Sequence, residues 1–103
     1  MRRLLAALIA LALVAACGSD VPADADGATI YELVCAHCHG ADLEGSGLGP
    51  ALVGAEARST ELPESYFTQA VSRGIGSMPS YGGTLSDAQI ERVVAFILEA
   101  QGR

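Results

Sequence analysis

Two cysteines and a histidine at helical spacing are the residues of this 103-residue chain with the clearest chemical potential. Cys35, Cys38 and His39 form the pattern C-x-x-C-H, which is typical of covalent haem attachment. Positions i, i+3 and i+4 share one face of a helix, so two thiols and an imidazole can address one side of a flat ligand. The thiols can form thioethers with the haem vinyl groups, and the imidazole can reach the iron. The same residues could also supply half of a zinc site or a redox dithiol.

Both alternatives need features that the sequence does not contain. A structural zinc site normally has four protein ligands, and the sequence has no second cluster of cysteines and histidines. A thioredoxin-like dithiol is expected in a βαβ context, and no convincing run of alternating apolar and polar residues occurs here. The haem interpretation is therefore favoured.

The first sixteen residues have the pattern of an export signal. Two arginines precede an unbroken run of thirteen apolar residues, Leu4 to Ala16. This run is short for a membrane span and suits a signal peptide over residues 1–16. It ends at Val-Ala-Ala-Cys17, which resembles a bacterial lipobox, although an ordinary signal peptide with an incidental cysteine is the alternative. We expect Cys17 to carry lipid and to anchor the protein at the outer face of the cytoplasmic membrane or in the periplasm.

Charge and length limit the domain organisation and the partners of the remaining chain. Residues 17–26 are small, polar and acidic and predict a flexible lipid-anchored linker, and residues 27–103 predict one small domain. After residue 16 the sequence has four arginines against twelve carboxylates, a formal charge of −8. That sign excludes nucleic acid as a partner. A domain this small has a marginal hydrophobic core, which a covalently held haem would complete.

Three helices are predicted, so the fold class is all-α. The first begins after Asp26, runs through the C-x-x-C-H box and stops at Gly40. The second extends from Pro63, at the first helical position, to about Ser72. The third begins at Ser86, which forms a capping box with Gln89, and continues with apolar residues at helical spacing: Ile90, Val93, Val94, Ile97 and Leu98. Glycine-rich loops connect these elements.

Met78 is the best candidate for a second axial ligand. It is the only methionine after residue 16, and it lies among turn residues rather than in an apolar stripe. The other histidine, His37, lies inside the C-x-x-C-H box and cannot reach the opposite face of a haem. A lone methionine can also simply fill a core, but its neighbours favour ligation.

The chain resembles the class I monohaem cytochromes c from about Gly27 to Gln101. Gly27 and Tyr31 precede Cys35 by eight and four residues, as a glycine and an aromatic do in that family. The resemblance implies that the first and last helices cross near Gly27, with Val93 and Phe96 at the crossing. Gly49-Pro50-Ala51-Leu52 is similar to the family's Gly-Pro-x-Leu segment, which implies that the Pro50 carbonyl accepts a hydrogen bond from His39. Met78-Pro79 is similar to the distal ligand pair.

One departure concerns the haem propionates. The chain has no tryptophan, so a propionate contact that some members make through an indole is absent or replaced. Tyr66, Tyr81 and Arg58 are the possible substitutes.

These residues predict an electron carrier rather than an enzyme. A single haem c held by Cys35 and Cys38, with His39 and Met78 on the iron, leaves no position for substrate, and methionine raises the reduction potential. The partners expected are redox proteins such as an oxidase, a reductase or a dehydrogenase, with the carrier as a monomer or a complex subunit. The alternative is a haem-based sensor or weak peroxidase in which Met78 is displaceable.

Overall fold

The computed structural model of the protein describes residues 21–103, and their secondary structure is helical. The elements in chain order are α1 (Gly27–Ile30), a π-helical turn (Tyr31–Cys35), α2 (Ala36–His39), α3 (Glu64–Arg73) and α4 (Asp87–Ala100). Within residues 21–103 there is no β-strand, only an isolated bridge between Ile75 and Met78. The all-α prediction is thereby confirmed. No helix in this part of the chain combines the length and the apolar character of a membrane span.

Helix α4 begins at the predicted capping box. The Ser86 hydroxyl accepts a hydrogen bond from the Gln89 backbone N–H at 3.1 Å, and the Gln89 side-chain oxygen accepts one from the Ser86 N–H at 2.8 Å. These bonds satisfy two donors that a helix start leaves unpaired. The apolar face that follows is buried in the core, through Ile90, Val93, Val94 and Ile97.

Helix α1 packs against α4 at Gly27, where the family resemblance implies that the two helices cross. A β-carbon on Gly27 would lie only 2.3 Å from the Arg92 carbonyl oxygen and 2.8 Å from the Phe96 β-carbon. The ring of Phe96 also lies 5.5 Å from that of Tyr31, centroid to centroid. Glycine is therefore required sterically, because its missing side chain lets the two backbones approach.

Two local details differ from the sequence-based expectation. Pro63 is the residue before α3, in extended backbone at ψ 157°, and Glu64 is the first helical residue. Proline has the same φ in both conformations, so its presence alone could not fix the first residue. The first helix also contains the π-helical turn, for which the sequence carries no local signal. Tyr31 and Cys35, at the two ends of this turn, are both buried.

Candidate haem site

The C-x-x-C-H box occupies the end of the π-helical turn and the whole of α2. Cys35 is buried, while Cys38 and His39 are half-buried. Burial raises the pKa of the Cys35 thiol to about 11, with a smaller contribution from nearby Cys38. Before any covalent attachment this thiol is therefore protonated at neutral pH. Within residues 21–103, moreover, no group of three or more His, Cys, Asp or Glu side chains could hold a metal ion.

The last carbonyl groups of the box are tied to the following loop. The Ser46 hydroxyl donates to the Cys38 carbonyl at 2.7 Å, and the Gly45 N–H donates to the His39 carbonyl at 2.7 Å. The Tyr31 hydroxyl donates to the Gly40 carbonyl at 2.6 Å. These bonds satisfy acceptors that the end of a helix leaves free, so the orientation of the box is fixed by its surroundings.

His39 is oriented by the hydrogen bond that the resemblance implied. Its Nδ1 lies 2.9 Å from the Pro50 carbonyl oxygen. A carbonyl can only accept, so Nδ1 carries the proton in this contact. In a neutral imidazole the other nitrogen, Nε2, then has a free lone pair. This is the arrangement by which ligating histidines are usually held.

Met78 lies in a loop that is fastened to the end of α3. Its backbone exchanges hydrogen bonds with Ile75, at 2.9 Å and 3.2 Å, which closes a tight turn. Gly74 follows α3 with φ +77°, and a β-carbon there would lie 2.6 Å from the Met78 carbonyl oxygen. Further along, the Ser80 hydroxyl and the Gly82 N–H both donate to the Ser72 carbonyl. The methionine is therefore presented by a loop that is tied to the end of α3 on both sides of Met78.

The box and the methionine loop line one cavity of about 670 Å³. This volume lies within the range of cofactor sites, about 300–1,000 Å³. All five residues that the sequence nominates from the described region line it: Cys35, Cys38, His39, Pro50 and Met78. Cys17 lies outside the described residues. The donor set suits a haem, because two thiols and an imidazole lie within the C-x-x-C-H box and a thioether comes from a separate loop.

Other residues of the cavity wall include the candidates for propionate contact. Tyr66, Tyr81 and Arg58 all line the cavity, and burial raises the pKa of the Tyr81 hydroxyl, so it stays protonated and able to donate. His37 is exposed and does not belong to the cavity lining. Of the two histidines in the box, His39 lines the cavity and His37 does not.

The end of the chain supports the cavity in a way that sequence reasoning missed. The Gln101 amide donates to the Leu52 carbonyl at 2.9 Å and to the Ser59 hydroxyl at 3.2 Å. Arg103 donates to the carbonyls of Ser59 and Leu62 and lies over the ring of Phe67. No periodic or motif signal marks these contacts, because the hydrogen bonds join residues more than 40 positions apart that only the tertiary fold brings together.

An all-helical body whose C-x-x-C-H box opens on a cavity defines a c-type haem protein, and comparison with known proteins agrees. A family model described as cytochrome c oxidase, cbb3-type, subunit III, matches residues 22–97. The cytochrome c6 of Picosynechococcus sp. (strain ATCC 27264 / PCC 7002 / PR-6) is 39% identical over 111 residues, covering 96% of this chain and 94% of that protein.

Two further relatives extend the comparison. The cytochrome c subunit of 4-cresol dehydrogenase (hydroxylating) from Pseudomonas putida is 31% identical over 72 residues, covering 69% of this chain and 57% of that subunit. The solved structure of the c-type cytochrome NirC superposes with a TM-score of 0.60 at 28% identity, covering 73% of this chain and 87% of that one. This protein therefore belongs to the cytochrome c family, with covalently bound c-type haem, and its function is haem-based electron transfer.

Proposed function

We propose that this protein is a one-electron carrier with a single haem c, attached through Cys35 and Cys38 and ligated by His39 and Met78. One-electron exchange between the ferric and ferrous states is the chemistry that the bound haem supplies. The observation that carries the proposal is that a histidine with an occupied Nδ1 and a loop-held methionine line the same cavity as both thiols.

The protein's own residues keep the structural rearrangement between the two oxidation states small. The Pro50 carbonyl holds the tautomer and ring orientation of His39, while backbone bonds hold the loop of Met78. A site whose ligands are already held needs little rearrangement when its charge changes. If His39 and Met78 both bound the iron, no position on it would be left for a substrate, which supports a carrier rather than an enzyme.

Carbon monoxide binding tests this assignment against the sensor or peroxidase alternative. If Met78 holds the iron firmly, the ferrous protein should bind carbon monoxide slowly and incompletely at neutral pH. Rapid and complete binding, followed by the shift of the visible absorption maximum, would favour a displaceable ligand and a ligand-binding function.

The margin of the cavity suits docking of a redox protein. Leu48 and Ile75 line the cavity and expose 65% and 49% of their surfaces, and the carboxylates Glu44 and Glu56 line the same cavity. Apolar contact with acidic residues nearby favours a partner with a complementary basic patch. By analogy with the relative named as a dehydrogenase subunit, we include a dehydrogenase, a reductase or an oxidase among the partners.

Lipid on Cys17 is the second part of the proposal, and it locates the carrier outside the cytoplasmic membrane. The substitution Cys17→Ser should release the protein from the membrane fraction while leaving its visible spectrum unchanged, because position 17 precedes the domain that holds the cavity. Fractionation of cells expressing either form, with detection by haem absorbance, provides the measurement. Tight membrane association of the serine variant would contradict the lipid anchor.

A further inference from the structure

The chain before α1 is held against α4 by two side chains. The Gln89 amide nitrogen lies 3.2 Å from the Pro22 carbonyl oxygen, and the Arg92 guanidinium donates to the carbonyls of Ala23, at 3.1 Å, and Ala25. Ala25 is buried, and Val21 packs against the core cluster. Residues 21–26, which the sequence analysis assigned to a flexible linker, are therefore attached to the folded body by what we call the α4 clamp, Gln89 and Arg92.

The clamp changes how much free chain separates Cys17 from the domain. An extended chain spans at most about 3.3–3.6 Å per residue. A tether running freely from residue 17 to Gly27 could reach about 35 Å, whereas a tether that ends at Val21 reaches about 14 Å. Three residues, 18–20, then lie between the proposed lipid site and Val21.

Arg92 of the clamp lies on a different side of α4 from the haem cavity, and the residues that the clamp holds do not line that cavity. Gln89 and Arg92 are three positions apart and share one helix face, whereas Ile97 is the residue of α4 that lines the cavity. Arg92 is five positions from Ile97, a rotation of about 140° around the axis, whereas Gln89 is eight positions from Ile97, a rotation of about 80°. None of residues 21–26 lines the cavity. A membrane on the clamped side therefore leaves the cavity accessible to a partner beside it.

We propose that the α4 clamp fixes the reach of the lipid-anchored domain, so that its redox partner is a membrane-bound protein whose electron-transfer site lies close to the lipid surface. The inference rests on the proposed anchor at Cys17. It assigns to Gln89 and Arg92 a positioning role, because they act through the backbone of residues 21–26 and do not line the haem cavity.

Energy transfer from labelled lipid to haem measures the reach directly. The full-length, haem-loaded lipoprotein is incorporated into phosphatidylcholine vesicles that carry a fluorophore on the headgroup, and quenching by haem reports its height. The clamp variant is Gln89→Glu with Arg92→Gln. Glutamate keeps an oxygen for the capping box and replaces the amide donor by an acceptor facing the Pro22 carbonyl. We expect quenching to fall to the level of a protein with six Gly-Ser residues inserted between Asp20 and Val21.

Matched variants distinguish a change in reach from the effects of altered charge and of altered folding on the quenching. Gln69→Glu with Arg73→Gln makes the same two chemical changes on exposed residues of α3 and should quench like the wild type. The single variant Gln89→Glu repeats the test if the double variant does not fold with a normal visible spectrum. Wild-type quenching in the clamp variants, beside reduced quenching in the insertion variant, would overturn the inference, as would an insertion without effect.

Vesicle binding shows separately whether the proposed lipid anchor is wrong. If the wild type and Cys17→Ser both remain free of vesicles, the lipid proposal is wrong and the inference about reach falls with it. If the wild type binds and Cys17→Ser does not, the anchor stands, and the quenching series alone decides the role of the clamp.

Discussion

Met78→Ala is expected to keep haem covalently attached while changing the iron site. Removing the thioether opens the distal position, so the ferrous protein should bind carbon monoxide readily. The reduction potential should fall by on the order of 100 mV or more, within the span of about 0.8 V that axial ligands produce. Optical redox titration and carbon monoxide binding provide the measurements.

The control for this variant removes a different apolar side chain from the cavity lining. Leu48 lines the cavity and is largely exposed, so Leu48→Ala should leave carbon monoxide binding slow and shift the potential much less. Identical spectra for the wild type and Met78→Ala would show that another group holds the sixth position.

Gly27→Ala should be among the most destabilising single-methyl additions in the protein. The added β-carbon would lie 2.3 Å from the Arg92 carbonyl oxygen and 2.8 Å from the Phe96 β-carbon. Alanine in a helix contributes about 1 kcal/mol relative to glycine, but overpacking costs about 1–3 kcal/mol, occasionally more. Here the nearest atom belongs to backbone and cannot rotate away. We therefore expect the steric cost to exceed the helix propensity, with a net loss of about 2 kcal/mol.

Denaturant unfolding of the haem-loaded protein tests this expectation. A glycine with space around it provides the comparison: a β-carbon on Gly83 would meet no atom within 4 Å. Gly83→Ala should change the free energy of unfolding by no more than about 0.5 kcal/mol. Equal midpoints for Gly27→Ala and the wild type would mean that α1 and α4 separate at little cost.

Local sequence signals predicted the helices well. The capping box of Ser86 and Gln89 depends on residues three apart, and the structure contains both of its hydrogen bonds. Gly40 and Gly74 follow α2 and α3 with positive φ, in keeping with the predicted helix ends. Such features are readable because the interacting groups are neighbours in the sequence.

Features that depend on tertiary packing could not be read in the same way. The π-helical turn at Tyr31–Cys35 has no compositional signature, and nothing marks Ser46 as the partner of the Cys38 carbonyl. The second role of Gln89 is a further example. Its oxygen belongs to the local capping box, whereas its nitrogen reaches Pro22, 67 positions away. Only the fold brings those groups together.

The candidate site was predictable to the extent that chemistry and a family resemblance restrict it. The C-x-x-C-H spacing selects Cys35, Cys38 and His39, and the scarcity of methionine selects Met78. The folded chain brings these residues to one cavity, although they come from two separate parts of the sequence. Their roles toward the iron remain predictions for measurement.

The visible spectrum of the ferric protein, matured with covalent haem, tests the central assignment most directly. Haem that stays with the chain through denaturation, together with the weak far-red band of a methionine-to-iron bond, is the result that His39 and Met78 ligation predicts. Covalent haem without that band, in folded protein at neutral pH, would contradict it.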